Sequence, residues 1–366
     1  MGEPLRVGII GAGFIGRVHA RAAQLTGNRL AGVADLLPSR AVSLAEDLRF
    51  DRVFQTAEDL IADPEVDVVH VCVPNYLHAP LVEGAIAAGK HVVCEKPLAT
   101  CIAEAEKLER LAADAGVVAA IPFVYRYYPI VREIRERVRS HEAGTLTMLH
   151  GSYLQDWLAE ESDTDWRVDP ALGGASRVFA DIGVHWADLA EFTSGQRITR
   201  LCAQLLTVFP TRRGPDGPTA IHTEDAVTVN FETHGGAIGS VVLSQVALGR
   251  KNRLWLSLDG TGASFVFDHE EPDCLWIGGR STNQLLFRSP DGLRPAAAKY
   301  VTVPAGHPQG FQDCFNAFVA DCYAAVAGAT PDGLPGFSDG RRAAEITEAV
   351  LDSAATGAWT DVPIAR

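Results

Sequence analysis

Lys96 stands between Glu95 and Pro97 in "HVVCEKPLAT" (His91 to Thr100), directly after a short apolar run. Proline removes a backbone donor and restricts the residue before it, so the amine has a fixed place at a strand end. An amine there can donate to an oxygen that gains negative charge. Its plainer role is an ion pair with Glu95. Asp181 and His185 lie four residues apart in "GGASRVFADIGVHWADL" (Gly173 to Leu189). On a helix they share a face. Histidine titrates near neutrality and can accept a hydroxyl proton. Asp181 can orient the imidazole or bind a neighbouring hydroxyl. The plainer role for His185 is a buried histidine bonded to Asp188.

"GIIGAGFIG" places Gly11, Gly13 and Gly16 in a GxGxxG pattern between an apolar strand and a helix that opens with Phe14 and Ile15. Gly11 permits a tight turn, Gly13 lets a pyrophosphate approach the backbone, and Gly16 permits close helix packing. The helix N-terminus then faces the phosphates. Asp35 ends the second strand and can accept from both adenosine ribose hydroxyls while repelling a 2'-phosphate. Leu36 and Leu37 offer that phosphate no cation. Arg40 is the nearby exception, with a plainer role as a helix-surface charge or an adenine stacking partner. NAD is therefore expected over NADP.

These residues need a scaffold. Up to about residue 120, strand-like and helix-like runs alternate: "LRVGII", "RLAGVAD", "DRVFQT", "VDVVHVCVP", "KHVVCE" and "VVAAIPF" read as six strands. Helices are expected from Phe14, over "PSRAVSLAEDL", near Ala57 to Ala62, over Ala79 to Ala88 and over "CIAEAEKLERLAADAG". Alternation of this kind gives a doubly wound parallel sheet. From about Thr145 the strands follow one another: "TLTMLHGSYL", "RLCAQLLTVFP", "DAVTVNFE", "AIGSVVLSQV", "RLWLSLDG", "GASFVFD" and "KYVTVPA". Helices are expected at Phe179 to Thr193, Gln309 to Ala327 and Gly340 to Ala355. Residues 210–220, "PTRRGPDGPTA", read as a surface loop.

The chain has 366 residues, 47% of them apolar, and a formal charge of -14. That length implies two domains. That charge disfavours nucleic acid and anionic membrane partners. Seven scattered cysteines, an odd number with no CxxC pair, fit a reducing compartment, and no metal-ligand spacing appears. No apolar stretch reads as a signal peptide or a membrane span, so a cytoplasmic location is expected.

"EKP" after the fifth strand, "PNYLH" at Pro74 to His78 and the DxGxH of Asp181 to His185 together resemble the glucose–fructose oxidoreductase, inositol dehydrogenase and rhizopine-catabolism (Gfo/Idh/MocA) family. The resemblance covers nearly the whole chain. It implies an α/β protein with an N-terminal Rossmann dinucleotide-binding domain (residues 1–125). A C-terminal α+β domain with a large, mostly antiparallel open sheet (residues 126–366) would bind substrate and form oligomers. The C-terminal helices are free to pack back on the first domain. The resemblance makes Lys96, Asp181 and His185 the catalytic set and allows a cis Lys96–Pro97 bond. It also places Pro74, Asn75, His78 and Glu95 beside the cofactor. His78 has a plainer reading as a helix-start residue.

The family's usual substrates are sugars, their derivatives and cyclitols, oxidised or reduced at one secondary carbon. The segment "GSYLQDWLAEESDTDWRVDP" supplies polar and aromatic candidates: Tyr153, Asp156, Trp157, Trp166 and Arg167. Arg126 or Tyr127 in "FVYRYYP" could reach the same pocket or only pack. No compact extra cation cluster marks a sugar phosphate, so a neutral sugar, anhydrosugar or cyclitol is expected. The resemblance implies a homodimer or homotetramer. An enzyme that retains NAD and acts by transient oxidation is the alternative, as in isomerisation, elimination or glycoside cleavage. A non-enzymatic NAD sensor is a more distant one.

Overall fold

A computed structural model describes residues 3–214 and 217–364, which divide into two compact units: residues 1–124 with 311–344, and residues 125–310 with 345–366. The first unit opens with strand β1 (Arg6–Ile10), helix α1 (Phe14–Leu25), β2 (Arg29–Ala34), α2 (Pro38–Leu48) and α3 (Ala57–Ala62). It continues with β3 (Val68–Val71), α4 (His78–Ala87), β4 (His91–Cys94), α5 (Ile102–Ala115) and β5 (Ala119–Ala120). The sheet order is β2-β1-β3-β4-β5, all parallel. Buried valines and isoleucines fill β1, β3 and β4 on both faces, as a sheet covered by helices requires. Pro38 opens α2, and Gly116 closes α5 in the left-handed conformation.

Two strand expectations fail here. "DRVFQT" contributes one parallel bridge, Val33 to Val53, and no strand. Val53 is exposed and gains little from sheet burial, so its β-propensity is not realised. "VVAAIPF" shrinks to Ala119–Ala120. Pro122 lacks the donor a longer ladder needs.

The second unit holds α6 (Pro129–Arg139), β6 (Leu146–Leu154), the helical turn α7 (Pro170–Gly173), a π-helical turn at Phe179–Gly183 and α8 (Val184–Ser194). Strands β7 (Ile198–Leu206), β8 (Thr211–Gly214), β9 (Gly217–Ala220), β10 (Ala226–Thr233) and β11 (Ile238–Ser244) follow. Then come β12 (Arg253–Gly260), β13 (Ser264–Asp268), β14 (Cys274–Gly278), β15 (Asn283–Phe287) and the turn α9 (Pro295–Ala298). Helix α10 (Phe311–Val326) belongs to the first unit; α11 (Phe337–Thr356), divided between the units after residue 344, and the short β16 (Thr360–Asp361) end the chain. The nine-stranded sheet runs β15-β14-β13-β12-β6-β11-β10-β7-β16, antiparallel except for the pair β11 and β6.

Paired positions share a face, so the sheet's two sides can be read from its register. Val229, Val241, Leu256, Phe265, Phe267 and Leu275 make the buried side. Gly151 lies on it because a Cβ there would fall 2.5 Å from the indole nitrogen of Trp186, which bonds the Trp255 carbonyl at 3.0 Å. The opposite side carries Met148, Ile238, Val242 and Leu285, all at least 40% exposed. "KYVTVPA" is not a strand, whereas Cys274–Gly278 and Asn283–Phe287 are strands the sequence did not announce. The segment read as a surface loop pairs as β8 with β9, and its Pro215 and Asp216 lie outside the described residues.

Candidate active site

In the first unit, the chain turns sharply after β1. Gly11 has φ +99°, and a Cβ on it would sit 2.2 Å from the Cys72 carbonyl oxygen. A Cβ on Gly16 would sit 1.8 Å from the Gly11 carbonyl oxygen, so this helix-to-loop approach admits glycine alone. The space around Gly13 is open, and no side chain caps the first amides of α1. Those amides fit a pyrophosphate. Asp35 accepts from the amides of Ala12 at 2.7 Å and Leu37 at 2.8 Å, tying the glycine turn to the end of β2. A cleft of about 530 Å³ opens beside it, lined by Ala12, Gly13, Phe14, Arg17, Ser39 and Arg40, with Ser43. Of the residues read from sequence, Gly13, Phe14 and Arg40 therefore meet at one cleft, and Asp35 bonds the amide of its lining residue Ala12. Arg17 was missed; it follows the motif's last glycine and pairs with Asp47 at 2.7 Å. Ile15 lies one position into α1 and does not line this cleft.

Pro74 and Asn75 begin a short turn before α4, and neither lines that cleft. His78 is fully buried with its ring turned inward. Nδ1 lies 2.7 Å from the Pro97 carbonyl and Nε2 lies 2.9 Å from the Val73 carbonyl. Burial lowers its pKa, and the two carbonyls oppose that shift. The Lys96–Pro97 bond is cis. Glu95 is buried: Oε1 meets His19 Nε2 at 2.9 Å, and Oε2 accepts from the Lys96 amide at 3.1 Å. Glu95 is thus engaged with a histidine and a main-chain amide in the protein interior.

In the second unit, Asp181 sits within the π turn and His185 in the first turn of α8. The spacing implied one continuous α-helix, but the head of this helix is a π turn, a local form frequent at functional sites. Buried carboxylates hold it. Glu224 accepts from Ser176 Oγ at 2.7 Å and from the amides of Arg177 and Phe179, each at 3.0 Å. Asp225 pairs with the buried guanidinium groups of Arg177 and Arg212. Burial opposes the Asp225 charge, yet the Phe209 amide and these two arginines hold its pKa below the ordinary range. Gln245 donates its main-chain N–H to the Asp225 carbonyl at 3.1 Å and its side-chain amide to Asp181 Oδ2 at 2.7 Å. Arg167 approaches Asp181 Oδ1 at 3.4 Å and stacks over Trp166 at 4.3 Å.

His185 meets the ring of Tyr125 edge-on at 5.1 Å. The Tyr125 hydroxyl pairs with that of Tyr153, which donates to Asn252 Oδ1 at 2.7 Å. Gln155 donates to the same oxygen at 2.8 Å and accepts from Trp157 Nε1 at 2.8 Å. Burial, then Tyr125, then the charge of Asp181 raise the Tyr153 pKa well above the usual phenol range. Trp157 packs on Leu158, Val168 and Ile221. His269 Nδ1 donates to the Asn252 carbonyl at 2.8 Å, so its Nε2 accepts from the Tyr128 hydroxyl at 2.9 Å.

The second unit thus links Asp181 with Arg167 and Gln245, and His185 with Tyr125, Tyr153 and Asn252. Arg126 and Asp156 are engaged elsewhere. Arg126 forms a buried two-pronged pair with Asp188 and stacks on Phe192. This also gives Asp188 a partner other than His185. Asp156 accepts from Lys251 at 2.7 Å and the Gly249 amide at 3.0 Å. Sequence reasoning missed Tyr125, Gln245 and Asn252. Tyr125 lay in the flagged "FVYRYYP", while the other two sit just after β11 and before β12 with no local pattern to mark them.

Residues 5–123 match the family described as an oxidoreductase family with an NAD-binding Rossmann fold, and residues 131–266 match the GFO/IDH/MocA C-terminal domain. Levoglucosan dehydrogenase of Pseudarthrobacter phenanthrenivorans is 30% identical over 399 residues, covering 99% of each chain. The chain belongs to the GFO/IDH/MocA family. A solved levoglucosan dehydrogenase in complex with NADH and levoglucosan is 29% identical, with a TM-score of 0.93, covering 99% of this chain and all of that one. An inositol dehydrogenase homolog from Azotobacter vinelandii, complexed with NAD+, is 28% identical with a TM-score of 0.88, covering 99% and 98%. This GFO/IDH/MocA protein is accordingly an oxidoreductase with the family's NAD-binding fold. Its lowered histidine pKa values generate a test. Burial, then His19, pushes His70 well below 6.5. The unfolded chain then binds more protons between the folded pKa and 6.5, so stability is complete above pH 6.5 and falls as pH drops below it. His70 can contribute at most about 1.4 kcal/mol per pH unit in that window. Urea unfolding followed from pH 7.5 to pH 5.5 should show this loss, and His70→Gln should make the slope shallower.

Proposed function

We propose that this protein is an NAD-dependent dehydrogenase of a neutral sugar, anhydrosugar or cyclitol, acting at one secondary hydroxyl. The observation that carries this reading is the second unit's side-chain set. Asp181 is held by Gln245 and Arg167 on the helix that presents His185 to Tyr125, Tyr153 and Asn252. Hydroxyl-rich rings need directional donors and acceptors beside flat faces, and this set has both. The relatives named for levoglucosan and myo-inositol point the same way. Bound NAD would supply the hydride acceptor. Lys96 donates to the reacting oxygen and His185 takes its proton. Asp181 fixes the orientation of the imidazole or of a neighbouring hydroxyl.

Asp35, with its two oxygens held by the Ala12 and Leu37 amides at the end of β2, supports NAD over NADP. Purified protein mixed with inositols, pyranoses and anhydrosugars should accumulate NADH, which its near-ultraviolet absorbance reports. A bound NAD that cycles without net NADH would instead favour transient oxidation. Lys96→Ala and His185→Ala should each lower kcat/KM at least about 100-fold while NAD affinity changes little. Titration should give a several-fold lower Kd for NAD than for NADP. The reverse preference would assign Arg17 and Arg40 to a phosphate.

The open side of the nine-stranded sheet, with Met148, Ile238, Val242 and Leu285, supports a homo-oligomer formed through this face. Seven free cysteines fit a reducing, cytoplasmic setting. Light scattering at micromolar concentration should report a dimer or tetramer, and a monomer alone would end the oligomer reading.

A further inference from the structure

Behind the Lys96–Pro97 turn, the first unit contains a buried chain of polar side chains that the proposed chemistry does not use. Glu95 Oε1 meets His19 Nε2 at 2.9 Å. His19 Nδ1 meets His70 Nδ1 at 2.8 Å, and His70 Nε2 meets the Tyr323 hydroxyl at 2.8 Å. Both histidines have no exposed surface, and Glu95 and Tyr323 are nearly as enclosed. Four separate elements supply the links: α1, β3, the end of β4 and α10. Four buried polar groups in one line are costly unless every hydrogen bond is made.

The contact between two Nδ1 atoms fixes the logic. With both rings neutral, it holds one proton, so the two tautomers are locked together. If His70 donates to His19, then His19 donates from Nε2 to Glu95, and His70 Nε2 accepts from Tyr323. Three protons then make three hydrogen bonds, and all donors point toward Glu95. The opposite polarity needs one more proton, on Glu95, and makes the Tyr323 oxygen an acceptor. The first arrangement uses the phenol proton on its neighbour His70. It also matches Glu95 Oε2, which accepts from the Lys96 amide at 3.1 Å. A carboxylate that accepts at both oxygens is stabilised as the anion.

We propose that His19, His70 and Tyr323 are positioning residues that hold Glu95 ionised and in one orientation at the base of the Lys96–Pro97 turn. Through them a hydroxyl on α10, more than two hundred residues along the chain from Glu95, fixes the peptide that carries Lys96. Their effect on turnover rests on the dehydrogenase reading above; their effect on Glu95 does not.

The tautomers give the direct test. Protein labelled with 15N-histidine should show, at pH 7, His19 as the Nε2–H form and His70 as the Nδ1–H form, assigned with His19→Gln and His70→Asn. The reversed pair, His19 Nδ1–H with His70 Nε2–H, or a cationic His19, would overturn the proposal. Turnover gives the second test. Tyr323→Phe and His19→Leu should lower kcat on any polyol the native protein oxidises by roughly 10- to 100-fold, with KM and NADH affinity nearly unchanged, as expected for a misplaced catalytic group. His19→Gln keeps an N–H for Glu95 and should recover part of the loss. Native kcat in folded Tyr323→Phe and His19→Leu would show that the chain only packs. If the native protein oxidises no polyol, the dehydrogenase reading falls, and the tautomers alone decide the state of Glu95.

Discussion

The geometry of the second unit depends on a charge cluster that water does not reach. Asp225, Arg177, Arg212 and Glu224 are each at most 2% exposed. Transfer of such groups from water is expensive, and removing one partner of a buried pair costs about 3–5 kcal/mol. Their mutual neutralisation therefore locks three separate pieces of chain together. Arg177 lies just before the π turn, Arg212 on β8, and Asp225 before β10. Gln245 joins the same cluster by its main chain and reaches Asp181 by its side chain. The buried charges thus help to orient Asp181 through Gln245.

The first unit uses a different constraint, backbone contact. Gly16 and Gly11 approach so closely that a side chain on Gly16 would strike main chain. Asp35 reinforces the same turn by accepting the Ala12 amide. Such contacts leave the first amides of α1 uncapped for an anion, which is the purpose a glycine-rich turn serves. Around the Lys96–Pro97 turn, buried side chains take over. His78 lies against the Pro97 carbonyl, and Glu95 is fixed by His19 and the Lys96 amide. Both units place their candidate site residues on segments held by buried polar contacts, which keeps those side chains in defined positions.

Much of this was legible in local sequence. Glycine spacing encodes a turn because its cause is local: φ beyond the reach of other residues, and an approach that excludes a Cβ. Helix limits such as Pro38 and Gly116 were readable for the same reason. So were alternating strands such as Ala226–Thr233, since a buried face imposes a period of two. The short strands β14 and β15 and the hairpin of β8 with β9 were not, although each pairs with its near neighbour in sequence, because runs of four or five residues are too short to show a clear period. The π turn at Phe179–Gly183 is invisible to periodicity, since a single wider turn shifts the pattern too little to register.

The sequence by itself determined the fold class, the dinucleotide turn and the family, because these rest on motifs whose residues act within a few positions of one another. Only the tertiary structure decided what each polar side chain does. Arg126, Asp156 and His78 looked available for ligands, yet Arg126 meets Asp188, Asp156 meets Lys251, and His78 turns inward to two carbonyls. Gln245 and Asn252 carried no signal, and Tyr125 only that of its segment, yet they join the network around Asp181 and His185. The physical reason is the cost of burial: a polar group removed from water must find a partner, and that partner lies wherever the fold brings it, 253 residues away for His70 and Tyr323.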